Sequence, residues 1–143
     1  MNYGFVKTAV VTPKIKVADV AYNGAEIEKL MKEAAQSVQI IVFPELCLTG
    51  ATCGDIFRQE LLLDSAKEEL VRLVKLTEEV SGLVLVGLPW EHRGKLYNVA
   101  AVFDETGVVS QFCSAKSTSS VSTFVKLVAP LMYPTFNLSF DGM

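Results

Sequence analysis

The stretch Val38-Gln39-Ile40-Ile41-Val42-Phe43-Pro44-Glu45-Leu46-Cys47-Leu48-Thr49-Gly50 constrains the fold more than any other. Ile40, Ile41, Val42 and Phe43 form a short apolar run, largely β-branched, which suits a strand buried on both faces. Pro44 has no N–H to give a ladder and should end that strand. Glu45 then stands where strand gives way to loop. In open α/β sheets, ligands bind outside the carboxyl ends of the strands. Apolar walls behind a carboxylate and a cleft in front of it raise its pKa towards that of a working base. The rest of the chain is therefore read as support for Glu45.

The flanking residues make the run part of an alternating α/β pattern. Phe5 to Val11 predicts a first strand, closed by Thr12-Pro13. Asn23, with Glu26 three residues on, suits the cap of a helix. Ile27, Leu30, Met31, Ala34 and Ala35 recur at the spacing of one apolar helical stripe, and core packing is its plainest reading. The unit from Phe5 to Phe43 is then βαβ, which implies parallel strands and a right-handed crossover. Ala51-Thr52-Cys53-Gly54-Asp55 suits a loop over the sheet end, with Asp55 capping a short helix. Ser65 and Glu68 form a capping box for a second helix, whose buried stripe is Leu70, Leu73, Val74, Thr77 and Val80 and which Gly82 ends. Leu83 to Leu88 is a second buried strand, stopped by Pro89. Glu91-His92-Arg93-Gly94 and Asp104-Glu105-Thr106-Gly107 are turns around a hairpin at the edge of a mostly parallel sheet. The class is α/β.

Composition excludes several functions. A net charge of −3 over 143 residues, with no basic cluster, argues against a nucleic-acid surface. No apolar run approaches the ~18 residues of a membrane span, and no signal-peptide pattern opens the chain. Cys47, Cys53 and Cys113 have no metal spacing, and His92 has no second histidine beside it, so no metal site is expected. Free thiols in an odd number fit a reducing cytoplasm.

Phe43-Pro44-Glu45-Leu46-Cys47-Leu48-Thr49-Gly50 resembles the signature of the nitrilase superfamily of carbon–nitrogen hydrolases. Within it, the chain is similar to the N-terminal glutaminase domains of glutamine-dependent NAD synthetases. Lys16-Val17-Ala18-Asp19 with Asn23, Thr52-Cys53-Gly54-Asp55-Ile56-Phe57, Val86-Gly87-Leu88-Pro89 and Leu96-Tyr97-Asn98 with Ala100 agree in order and spacing. Ala51 departs from the pattern, which usually has tyrosine after the glycine. The resemblance spans residues 3 to about 110 and implies a partial α-β-β-α sandwich.

It also implies a Glu-Lys-Cys catalytic set that hydrolyses the side-chain amide of glutamine. An amide carbonyl needs an activated nucleophile, a base for its proton and a positive charge where the oxyanion forms. Glu45 matches the family's general base. Lys116 is the candidate for the oxyanion lysine, although an alanine stands before it where the family has proline. The nucleophile has no match: the family's cysteine lies well beyond its lysine, at a distance that would fall past Met143. Cys47 and Cys53 flank Glu45, but free cysteines are mostly small buried hydrophobes, and Cys113 matches no nucleophile position. Ammonia would pass to an ATP- and Mg-using synthetase domain absent from this chain, so no cofactor is expected in residues 1–143. The resemblance further implies homo-oligomers in the full-length protein.

Residues 1–113 thus read as the N-terminal part of a carbon–nitrogen hydrolase domain, and 114–143 as a divergent tail. Ser114 to Thr123 is serine- and threonine-rich without period, and Phe124 to Met143 fits no single element. A frameshift near residue 110 is the expected cause. Reading the codons of Val121 to Val128 two nucleotides later permits Phe-Asn-Phe-Arg/Cys-Glu-Ala-Arg, close to the family's Glu-Phe-Tyr-Glu-x-Arg. The encoding DNA tests this, and no family-like continuation in either other frame would refute it. Two further readings stand beside the inactive glutaminase fragment: a non-catalytic interaction module, and another carbon–nitrogen hydrolase such as an amidase. A nucleotide-binding domain is disfavoured because no glycine fingerprint follows the first strand.

Overall fold

The computed structural model describes residues 4–115 and 123–127, with side chains as far as Val108. The order is β1 (Thr8–Val10), α1 (Val20–Ala34), β2 (Ile40–Val42), a 3₁₀ turn (Gly54–Arg58), α2 (Glu60–Leu76), β3 (Leu83–His92), β4 (Lys95–Asp104), β5 (Gly107–Ala115) and β6 (Thr123–Leu127). The sheet runs β1-β2-β3-β4-β5-β6. The first three strands are parallel and the rest antiparallel. Because β1, β2 and β3 advance in one direction, right-handed crossovers put both helices on the same face. That face holds the core: Ile27 and Met31 of α1, Leu70 and Leu73 of α2, and Ile41, Val84, Val86, Leu88, Val99 and Phe103 of the sheet. The α/β class and the βαβαβ opening are as the sequence predicts.

The elements differ from expectation in instructive ways. β1 is only three residues long, and Phe5 and Val6 before it are exposed. β2 alternates: Ile41 is fully buried while Ile40 and Val42 are half-buried, so its second face is incompletely covered by the described residues. Helix α1 starts three residues before Asn23, with Asp19 as its cap accepting from the Tyr22 amide at 3.1 Å. α2 starts at Glu60 rather than Ser65, after Gln59, whose side chain makes no cap bond; Asp55 belongs to the 3₁₀ turn. Ser65 lies inside α2, where its hydroxyl donates to the Leu61 carbonyl at 2.7 Å. Burial of Leu62, Leu63 and Ala66 in the first turns outweighs the better cap. α2 stops at Leu76, and buried Thr77 ties its end to the sheet by donating to the Val74 and Asp104 carbonyls.

Pro89 does not stop β3, which runs on to His92. Its position explains why. The Leu83 amide donates to β2's flank at Gln39, and the Leu85 and Gly87 carbonyls accept from Phe43 and Leu48. Odd-numbered residues of β3 thus point their backbone groups towards β2, which ends at Val42. The N–H that Pro89 lacks would face past that end, so no ladder bond is lost. The turn after β3 is also shorter than predicted. Only Arg93 and Gly94 lie in it, at φ 49° and 73°, the left-handed pair of a type I′ hairpin. At the tail, Thr123–Leu127 forms β6 against β5, where no element was expected.

Candidate active site

The signature turn is built over a gap in the sheet. Glu45 to Thr49 follow β2, and Leu46 takes φ 51°, a left-handed conformation costly for a branched residue. The Leu46 carbonyl accepts from Gly50 at 2.7 Å and Thr49 at 3.2 Å, closing the turn. Gly87 makes room for it. A Cβ on Gly87 would lie 2.5 Å from the Leu46 nitrogen, 2.5 Å from the Pro44 oxygen and 2.9 Å from the Glu45 carbonyl carbon. Only a residue without a side chain lets the backbone of Pro44–Leu46 lie there.

Gly87 pairs with Ala100, and Pro89 with Asn98 one step along. Val86, Leu88 and Val99 fill the helix-side core, so Gly87, Ala100 and Asn98 share the opposite face. Glu45 reaches across it, and the Asn98 amide donates to Glu45 Oε1. The carboxylate is exposed rather than walled in by the described residues, contrary to expectation. Asn98 opposes Ser114 on β5, so the end of β5 runs beside this pair. Lys116 lies outside the described residues.

The turn is anchored from below by a side chain first read as a helix cap. Asn23 is fully buried in the first turn of α1. Its Oδ1 accepts from the Lys16 amide at 2.7 Å, and its Nδ2 donates to the Lys16 carbonyl at 2.8 Å and the Leu48 carbonyl at 3.0 Å. The Ala18 amide donates to the Thr49 carbonyl at 2.8 Å. Opening loop, helix α1 and signature turn are thus one hydrogen-bonded unit.

The cysteines near Glu45 face the other way. Cys47 is buried, its thiol 3.6 Å from the Gly87 carbonyl, and burial pushes that thiol up to about 11. Burial thus disfavours the thiolate of Cys47 and keeps its sulfur from a substrate in solvent. Cys53 is buried, with its sulfur 3.1 Å from the Thr49 carbonyl and 3.4 Å from that of Gly50. Cys113 lies on β5 opposite Val99. Among the described residues, no cluster of His, Cys, Asp or Glu could hold a metal ion. No helix there is long and apolar enough to cross a membrane.

Residues 7–121 match the carbon–nitrogen hydrolase family. The chain belongs to that family. Over 109 residues, the chain is 32% identical to the glutamine-dependent NAD(+) synthetase of Mycobacterium bovis, covering 76% of this chain and 16% of that protein. It therefore spans about a sixth of the length of the curated relatives it matches. Its fold is similar to that of the glutamine-dependent NAD+ synthetase from Acinetobacter baumannii, with a TM-score of 0.71 at 20% identity, over 83% of this chain and 22% of that one. It is similar also to an amidase variant from Nesterenkonia sp. AN1 in which acrylamide has added to the active site cysteine. There the TM-score is 0.64 at 19% identity, over 76% and 44% of the two chains.

Two site residues, Asn98 and Gly87, carried no role in the sequence reading although both fell in matching motifs. The signal for Asn98 was the hairpin register. Had Arg93-Gly94 been read as a two-residue turn, Asn98 would have been placed opposite Pro89, on the face of Gly87.

Proposed function

We propose that this chain is the N-terminal part of a glutamine amidohydrolase domain, of the kind that supplies ammonia to a glutamine-dependent NAD synthetase. Glu45 is its general base and Lys116 its oxyanion residue. A thiol from outside this chain is the nucleophile. That thiol gives its proton to Glu45, the sulfur attacks the glutamine side-chain carbon, and the C–N bond breaks as ammonia takes the proton. Water then cleaves the thioester to glutamate. One observation carries the reading: an exposed carboxylate at the end of a parallel strand, hydrogen-bonded by a neutral donor, within a chain 32% identical to glutamine-dependent NAD synthetases. The burial of Cys47 and Cys53 supports an external nucleophile.

By this reading the chain alone is inactive, cytoplasmic, and free of cofactor; ATP and Mg belong to the synthetase domain. The test is ammonia release from glutamine, with Glu45→Gln as the control. No turnover above background is expected from the chain alone. Turnover that disappears in Glu45→Gln would overturn the external nucleophile.

A further inference from the structure

We propose that Asn98 is a positioning residue for Glu45: it holds one carboxylate oxygen and leaves the other as the proton acceptor. This rests on the reading of Glu45 as the base. A carboxylate accepts hydrogen bonds only, so Asn98 must present its NH2 group, which fixes the orientation of the amide. The contact is to Oε1. Among the described residues no hydrogen bond is made to Oε2, which keeps its lone pairs for a proton arriving from a thiol.

Three features of the sheet place the pair. Asn98 stands on the face away from the helices, because its neighbour Val99 is buried in the helix-side core. Gly87, paired with Ala100 one step along the same face, leaves the space that the Pro44–Leu46 backbone occupies. Leu46, held in a left-handed conformation, fixes the direction in which Glu45 leaves the turn. An exposed glutamate otherwise samples several rotamers. A neutral amide restrains it without supplying a charge that would weaken it as a base, which a lysine at the same position would do.

The test needs no substrate. In the isotope-labelled chain, nuclear magnetic resonance follows the Asn98 side-chain amide and the Glu45 carboxyl carbon through acid titration. The two signals are expected to move together. One Asn98 amide proton should carry the larger shift, and its bonded position should be only partly lost when Glu45 is protonated, because the proton enters at Oε2. In Glu45→Ala the amide should fall fully to the position of a free side chain, and in Glu45→Gln its pH dependence should vanish. An Asn98 amide indifferent to Glu45 protonation would overturn the contact. Full collapse of its shift on protonation would overturn the choice of oxygen. An intact coupling in the chain, alongside glutamine-driven NAD synthesis that survives Glu45→Gln when residues 1–113 replace the matching segment of the Mycobacterium bovis glutamine-dependent NAD(+) synthetase, would refute the base assignment and leave the contact standing, so the two failures are distinguishable.

Discussion

Asn23 holds three backbone groups from two segments with one buried amide. Replacing it by alanine would strand the Lys16 amide and the Leu48 carbonyl and leave a small void, while the Lys16 carbonyl keeps the Asp19 amide at 3.2 Å. The expected cost is about 3 kcal/mol, since each buried unpaired polar group costs roughly 1–3. Urea unfolding of Asn23→Ala measures it, and a loss near zero would show that water replaces the side chain. Gly87→Ala would drive its methyl into the backbone of Pro44–Leu46 at three atoms. It should cost about 2 kcal/mol by overpacking and, more specifically, abolish the coupling between Glu45 and Asn98. A Gly87→Ala protein that keeps that coupling would show the turn free to shift. The two residues differ in how readable they were. Asn before a helical stripe is a good cap by propensity, but Asp19 was equally good and lies where the chain actually enters α1. Gly87 sat in a run that read as an ordinary strand, and only the approach of another backbone segment explains it.

At the scale of elements, the helices were legible and their starts were not. The stripe of α1, and that of α2 as far as Val74, fall where the apolar spacing puts them because burial of one face outweighs other terms, whereas Thr77 and Val80 lie beyond the helix, which stops at Leu76 and not at Gly82. The start of α2 was misplaced because Leu62, Leu63 and Ala66 gain more from burial than Ser65 gains from capping. β3 continued through Pro89 because its neighbour β2 is short, a fact about the sheet and not about β3. Between the helices, Arg72 of α2 bridges Glu28 of α1 and Glu69 of α2, both at 2.5 Å, while Lys32 pairs with Glu28 at 2.7 Å. Lys32, and then Arg72, hold the Glu28 carboxyl below its usual range. A lowered carboxylate pKa contributes stability that is present at neutral pH and lost as the pH falls through it. The network is partly exposed, with the Arg72 side chain 41% accessible. Arg72→Met should therefore cost only about 1 kcal/mol, and less in high salt as the charges are screened. Unfolding midpoints at low and high salt check this; a salt-independent loss would assign the effect to packing.

Among the described residues, the core lies on one side of the sheet. The helix-side face is filled, whereas Phe5, Val6 and Val10 at the β1 edge remain exposed. Stability should also have an alkaline limit set inside that core. The Cys47 thiol rises from 9.0 to about 11 on folding. Between those values the unfolded chain has lost a proton that the folded chain keeps, so stability falls as pH rises, by about 3 kcal/mol across the window. Below pH 9 the contribution is complete. Cys47→Ala should flatten the fall in unfolding free energy between about pH 9 and 11, and an unchanged slope would place its origin elsewhere. In the sequence the α/β class and the place of Glu45 just past a strand end were legible at this scale, because a buried run, a proline and a carboxylate are local signals. The exposure of Glu45 was not, because it depends on which face the helices leave open.

The central claim is that this chain supplies the general base of a glutamine amidohydrolase. The most direct measurement exchanges residues 1–113 for the matching segment of the Mycobacterium bovis glutamine-dependent NAD(+) synthetase and compares NAD synthesis from glutamine with synthesis from ammonium salt. The hybrid should use both, and Glu45→Gln should lower the glutamine-driven rate by about a thousandfold while leaving the ammonium-driven rate unchanged. A glutamine-driven rate that survives Glu45→Gln would contradict it.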